Sequence, residues 1–205
     1  MKRYSISITF KCDWDCSYCS ADTHSRKSPS FEHIKEVVGE VKFGSEVSLT
    51  GGEPGFAQPK VLEYVIEELK AKGCTIVVNT NGAFFTRYPE YCEVVDSFFY
   101  HCSEDLDTSK EIYIPDSEYD VDYMLVVTDE NLPRLDHFMT NYPDITFLVT
   151  SADPAMVKGK MGSSLSRGNA IKIYRKYKDR LDKDCVLRLL ESSEKLCDEE
   201  GIIMK

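Results

Sequence analysis

The sequence predicts an α/β fold: a partial (β/α)6 barrel of the TIM-like kind, with a mainly parallel sheet and outer helices. Three observations carry that reading. Short apolar or alternating segments take turns with segments of helical period, an order that implies parallel strands joined by right-handed crossovers. Six strand candidates occur in 205 residues, and a closed eight-stranded barrel takes about 250 residues. No internal repeat or low-complexity linker interrupts the chain, so one domain is expected, with a core over 1–157 and a helical extension over 158–205 packed on it.

Tyr4 to Phe10 (YSISITF) alternates and reads as the first strand. Phe31, Ile34, Val37, Val38 and Val41 then share one helical face, with Ser30 as N-cap. Glu46 to Thr50 is a short strand that runs straight into GGEPG. Leu62, Val65, Ile66 and Leu69 mark a second helix, and Gly73 marks its end. Cys74 to Gly82 reads as a buried strand with a polar turn, and Val94 to Cys102 and Val121 to Val127 as two more. The segment from Glu104 to Asp120 is acidic and reads as a short helix followed by a loop. A helix with Pro133 in its first turn precedes the sixth strand, Ile145 to Ser151. Two helices are expected in the tail, the second with Val186, Leu189, Leu190 and Leu196 on one stripe.

Composition narrows the function. A formal net charge of -10 argues against a nucleic-acid partner, which needs basic surface. The one basic stretch, Arg167 to Arg180, reads as a solvated helix face. No apolar run is long enough for a membrane span, and the alternating start lacks the apolar centre of a signal peptide. A cytoplasmic protein is expected, in which the eight cysteines stay reduced and clustered thiols suggest metal or redox chemistry.

Three of those cysteines, Cys12, Cys16 and Cys19, are spaced C-x3-C-x2-C in the loop after the first strand. Thiolates hold iron–sulfur clusters, and three of them around a four-iron cubane leave one iron open to a small molecule. The other reading is zinc, with His24 as a fourth ligand. Ligands of α/β folds gather beyond the carboxyl ends of the strands. There the chain places the cysteines, then Gly51, Gly52 and Glu53, then Asn79 to Gly82, then Ser103. Alone, the two glycines read as a plain turn and Glu53 as a surface carboxylate. Arg167, beside Gly168 after the sixth strand, is placed to reach a carboxylate or phosphate; an ordinary exposed helix-start arginine is the alternative.

With CDWDCSYC after the first strand, LTGGEPG after the second and NTNG after the third, the chain resembles the radical S-adenosylmethionine (SAM) superfamily. The resemblance implies a [4Fe-4S] cluster on Cys12, Cys16 and Cys19, with the open iron taking the amino and carboxylate groups of SAM. It implies that Gly51 and Gly52 let the backbone approach that amino group, and that Glu53 accepts a hydrogen bond from it. Tyr18 would lie against the adenine, and Thr80, Asn81 and Ser103 are candidates for carboxylate or ribose contacts. Reductive cleavage of SAM to methionine and a 5'-deoxyadenosyl radical would follow, and the radical would take hydrogen from a small molecule or a protein side chain. A single-electron donor such as flavodoxin or ferredoxin would be the partner.

Glycyl-radical activases and 7-carboxy-7-deazaguanine synthase are alternatives within the family; for the latter, Asp22 and Thr23 sit two positions later than its pattern. The other cysteines read as small hydrophobes (Cys74, Cys92, Cys102) or as an unlinked pair (Cys185, Cys197). His101 and His137 read as ordinary hydrogen-bonding residues, and Trp14 as a shield for the cluster or a packing residue.

Overall fold

A computed structural model describes residues 1–19, 27–151, 165–177 and 179–181. Six strands form one sheet in the order β1-β2-β3-β4-β5-β6: β1 (Arg3–Thr9), β2 (Glu46–Gly51), β3 (Thr75–Thr80), β4 (Ser97–His101), β5 (Val121–Val127) and β6 (Phe147–Ser151). β1/β2, β2/β3, β3/β4 and β5/β6 pair in parallel. The helices are α1 (Phe31–Glu40), α2 (Pro59–Ala71), α3 (Ala83–Arg87), α4 (Pro89–Cys92), α5 (Leu135–Asn141) and α6 (Arg167–Tyr177). This is the expected α/β class, an open partial barrel rather than a closed one.

The chain divides into two compact units. The first holds residues 1–15, 27–102 and 112–122 of those described. Its core is one face of β1–β4 against α1 and α2. Val47, Leu49, Ile76, Val78, Leu62, Val65 and Leu69 are fully buried there, and each such side chain contributes about 1.5–3 kcal/mol. Ser30 Oγ accepts from His33 N at 3.1 Å and starts α1, as its position suggested. α2 starts at Pro59, whose missing N–H costs nothing in a first turn. It stops as expected at Gly73, which adopts φ +62. Lys72 Nζ donates to the carbonyls of Val38, Gly39 and Val41, so the end of α2 neutralises the carbonyl end of α1.

β4 departs from expectation at its start. Val94 and Val95 form the turn after α4, and the strand begins at Ser97. The residues between β3 and β4 form two short helices that hydrophobic period did not signal, α3 and α4. Phe84 and Phe85 of α3 pack on Phe98 at ring separations of 6.0 and 4.8 Å.

The second unit holds residues 16–19, 103–111, 123–151, 165–177 and 179–181 of those described. Leu125, Val127, Phe147 and Val149 are fully buried, and α5 adds Leu135, Phe138 and Met139 to that core. Pro133 lies in a 3-10 turn (Leu132–Arg134) that leads into α5. The expected short helix at 104 is a 3-10 turn, Glu104–Leu106. Among the described charges of the basic stretch, Lys176 pairs with Asp136 at 2.7 Å, and Arg180 donates to the carbonyls of Met139 and Tyr142 at the end of α5. The second tail helix, with Cys185 and Cys197, lies outside the described residues, as do Asp22, Thr23 and His24.

Candidate functional site

In the first unit the GGE turn is bonded to the start of the cysteine loop. Gly52 N donates to Thr9 O at 2.7 Å and Glu53 N to Lys11 O at 2.8 Å, one residue before Cys12. Ser28 Oγ accepts from Phe10 N and holds the same segment from another side. Gly51 has φ +124, and a Cβ there would lie 2.1 Å from Thr9 O; a Cβ on Gly52 would lie 2.3 Å from Lys11 O. The glycines thus have a structural reason that sequence reasoning missed. The turn can press on the cysteine loop only where neither residue has a side chain.

Glu53 is not a surface carboxylate. It is 1% exposed. Its Oε1 accepts from Gly55 N and Thr80 Oγ1, each at 2.8 Å, and its Oε2 accepts from Asn81 N at 2.6 Å. Burial pushes its pKa up to about 7 against the pull of those three donors. Thr80, also 1% exposed, is fully engaged: its hydroxyl donates to Glu53 and accepts from Gly82 N and Phe84 N. It orients Glu53. Asn81 Nδ2 donates to Asp13 Oδ1 at 2.7 Å and lies 3.9 Å from Cys12 Sγ, while Trp14 N lies 3.4 Å from the same sulfur. Asp13 and Ser28 are therefore parts of this site that no motif signalled.

In the second unit, Cys19 N donates to Cys16 O at 3.0 Å, a turn between the two later cysteines. Ser17, between them, is held by Asp105: its N–H donates to Oδ2 at 2.8 Å and its hydroxyl to Oδ1 at 2.6 Å. Asp105 has φ +47 and Leu106 φ +55, a left-handed pair without glycine. Such local strain is characteristic of functional segments. Burial, with Asp105 and Glu104 nearby, pushes the Cys16 thiol up to about 12, opposed by a hydrogen bond with Tyr18. Ser103 is buried, with its hydroxyl directed to Asp107 O at 3.4 Å. Arg167 opens α6; its side chain lies outside the described part of the structure.

Cys12, Cys16 and Cys19 are free thiols, the first two half-buried and the third exposed. Soft thiols in one short loop are the donor set that iron–sulfur clusters use, and an iron in place of the Cys16 proton would relieve the penalty that acidic neighbours and burial impose. Among the described residues, no three His, Cys, Asp or Glu side chains converge on a metal position. Cys74, Cys92 and Cys102 are buried, and Cys74 and Cys92 donate to the carbonyls of Lys42 and Tyr88. They behave as small core residues.

Residues 6–99 match the family model of the Radical SAM superfamily. That match spans a little under half of the chain. The superfamily uses a [4Fe-4S] cluster and SAM. No curated protein matches the chain. Among solved structures, native anSMEcpe with bound AdoMet is similar with a TM-score of 0.58 at 17% identity, over 87% of this chain and 59% of that one. Native anSMEcpe with bound AdoMet and Cp18Cys peptide gives 0.56 at 17%, over the same shares. Streptococcus suis SuiB bound to precursor peptide SuiA gives 0.58 at 15%, over 86% of this chain and 45% of that one. At these identities the likeness is one of fold, and this chain spans little more than half the length of the anSMEcpe structures.

Proposed function

We propose that the protein is a radical SAM enzyme in which Cys12, Cys16 and Cys19 hold a [4Fe-4S] cluster whose fourth iron takes SAM. The observation that carries this reading is the pair of backbone hydrogen bonds joining the GGE turn to the residues directly before Cys12. When bound, the cluster and SAM supply reductive carbon–sulfur cleavage and a 5'-deoxyadenosyl radical that takes hydrogen from the substrate. The protein's residues hold and orient. Glu53 Oε2 has acceptor capacity beyond its bond from Asn81, suited to an ammonium group. An approaching cation would also favour the carboxylate that burial disfavours. Thr80 and Asn81 fix that carboxylate, Asp105 fixes the loop through Ser17, and Tyr18, the residue before Cys19, is read as the one that faces the adenine. Ser103 and Arg167 are further candidates for contact with SAM.

The substrate is read as a peptide or protein side chain, a reading supported by the two similar structures that hold peptides. A small one-electron donor such as flavodoxin or ferredoxin would reduce the cluster. Among the described residues no helix is long and apolar enough to cross a membrane; a cytoplasmic setting is part of the proposal. The test is anaerobic cluster reconstitution followed by electron paramagnetic resonance with and without SAM, and by assay of 5'-deoxyadenosine after reduction. A spectrum that SAM perturbs, with 5'-deoxyadenosine formed, is expected. A colourless zinc protein, or a cluster indifferent to SAM, overturns the reading.

A further inference from the structure

The NTNG turn after β3 places more hydrogen bonds on one residue than a turn requires. Asn81 N donates to Glu53 Oε2 at 2.6 Å, and Asn81 Oδ1 accepts from Ala83 N at 3.1 Å across Gly82. The second bond is the ordinary asparagine turn, which serine or aspartate would make as well. It also fixes the carboxamide. A backbone N–H can only donate, so the oxygen faces Ala83 and the NH2 group faces the cysteine loop. There Asn81 Nδ2 donates to Asp13 Oδ1 at 2.7 Å and comes within 3.9 Å of Cys12 Sγ, all within the first unit. The two N–H bonds of one amide are divided between a carboxylate and a sulfur, and neither serine nor aspartate could supply them.

Cys12 Sγ also meets Trp14 N, at 3.4 Å. A thiol sulfur is large and a weak acceptor, so both contacts count for little while Cys12 carries its proton. As a thiolate on iron it bears negative charge, and hydrogen bonds to a charged acceptor are about twice as strong. Hydrogen bonds to the sulfurs are one of the levers that set the reduction potential of an iron–sulfur cluster. An added electron makes the cluster and its sulfur ligands more negative, so N–H groups aimed at them favour the reduced form. Asp13 acts in the opposite sense, since a carboxylate beside the loop disfavours the added electron. It is exposed, and water weakens its effect.

We propose that Asn81 is a positioning residue for the cluster: its carboxamide, together with the Trp14 N–H, donates to the Cys12 sulfur and raises the reduction potential. The single-electron donor then reduces the cluster more readily. The inference rests on the radical SAM reading for the identity of the cluster. No bond at Cys12 is made or broken; the electron comes from the donor and resides on the cluster. With both N–H bonds engaged, Asn81 serves the cluster rather than the carboxylate or ribose of SAM that its strand-end position suggested. Its backbone meanwhile holds Glu53, so one turn fixes the acceptor for the SAM ammonium group and a donor to the first cluster ligand.

The test is a redox titration of the reconstituted full-length protein without SAM, monitored by electron paramagnetic resonance, on wild type, Asn81→Leu, Asn81→Ser and Asp13→Ala. Serine keeps the backbone bond to Glu53 and can accept from Ala83 N, but it is too short to reach Cys12. Both Asn81 variants should be about tenfold harder to reduce, the loss of about one charge-assisted hydrogen bond. For a one-electron couple that is a fall of about 59 mV. Asp13→Ala should move the potential the other way, because it removes a negative charge and leaves the sulfur as acceptor for the Asn81 amide. A merely structural role would move no potential, or would move all three alike. Iron and sulfide content shows that the same cluster is compared. Asn81 variants with the wild-type potential, a fall in Asp13→Ala, or loss of the cluster from both Asn81 variants overturns the proposal. If the wild type cleaves SAM but the potentials do not move, this inference alone fails; if SAM is not cleaved, the parent reading fails whatever the potentials are.

Discussion

Gly51 shows how a motif residue can serve fold and site together. A methyl group there would strike Thr9 O on a backbone already at φ +124, so Gly51→Ala should cost about 2 kcal/mol or more in urea unfolding. It should also displace the segment leading to Cys12. Glu53 supplies a pH signature. Its pKa is raised from 4.5 to about 7, so the folded state holds the proton more tightly than the unfolded one. Its contribution to stability is therefore fully present below about pH 4.5 and falls away as pH rises through about 7, by at most on the order of 3 kcal/mol. Urea midpoints at about pH 5 and about pH 8 should show that fall in the wild type and not in Glu53→Gln. The glutamine variant should be less stable at about pH 5, because its NH2 group would face Asn81 N–H or Thr80. Sequence spacing made Glu53 visible as a site residue but not as a buried one, since its donors come from Asn81 and Thr80, far along the chain.

At the scale of elements, the strands and long helices were legible because burial imposes a period. Ile34 and Val38 of α1, and Leu62, Val65, Ile66 and Leu69 of α2, are buried as their spacing implies. α3 and α4 were not legible: at five and four residues they are too short to show a period, and aromatic packing on β4 holds α3. Val94 misled for a related reason, being β-branched yet placed in a turn. The left-handed pair Asp105–Leu106 gave no signal either, because neither residue is the glycine or asparagine that usually marks that conformation. The link between α1 and α2 is testable. Lys72→Met removes the donor to three carbonyls of the α1 terminus and should lower stability by about 1 kcal/mol, with faster amide exchange confined to the ends of the two helices.

For the whole molecule, the C-x3-C-x2-C loop and the GGE turn were legible as one constellation because consecutive strand ends of a parallel sheet must lie side by side. The alignment of polar positions on β1 and β2 was not legible, although YSISIT already alternates; a lone alternating strand is ordinary, and only the register shows Ser5 beside Ser48 and Ser7 beside Thr50. Cys12→Ala, Cys16→Ala and Cys19→Ala should each lose the iron–sulfur absorbance on reconstitution, whereas Cys74→Ala and Cys92→Ala should retain it and lose stability instead, as buried thiols do. Iron and sulfide content per chain checks both groups.

The register shift between Ser7 and Thr9 on β1 has a consequence for how the molecule behaves in company. Among the described residues β1 ends the strand order, and an outer strand left unpaired is a template on which neighbouring molecules can polymerise. An irregular edge that also carries the charged Arg3 makes a poor template, so the same kink discourages fibril growth.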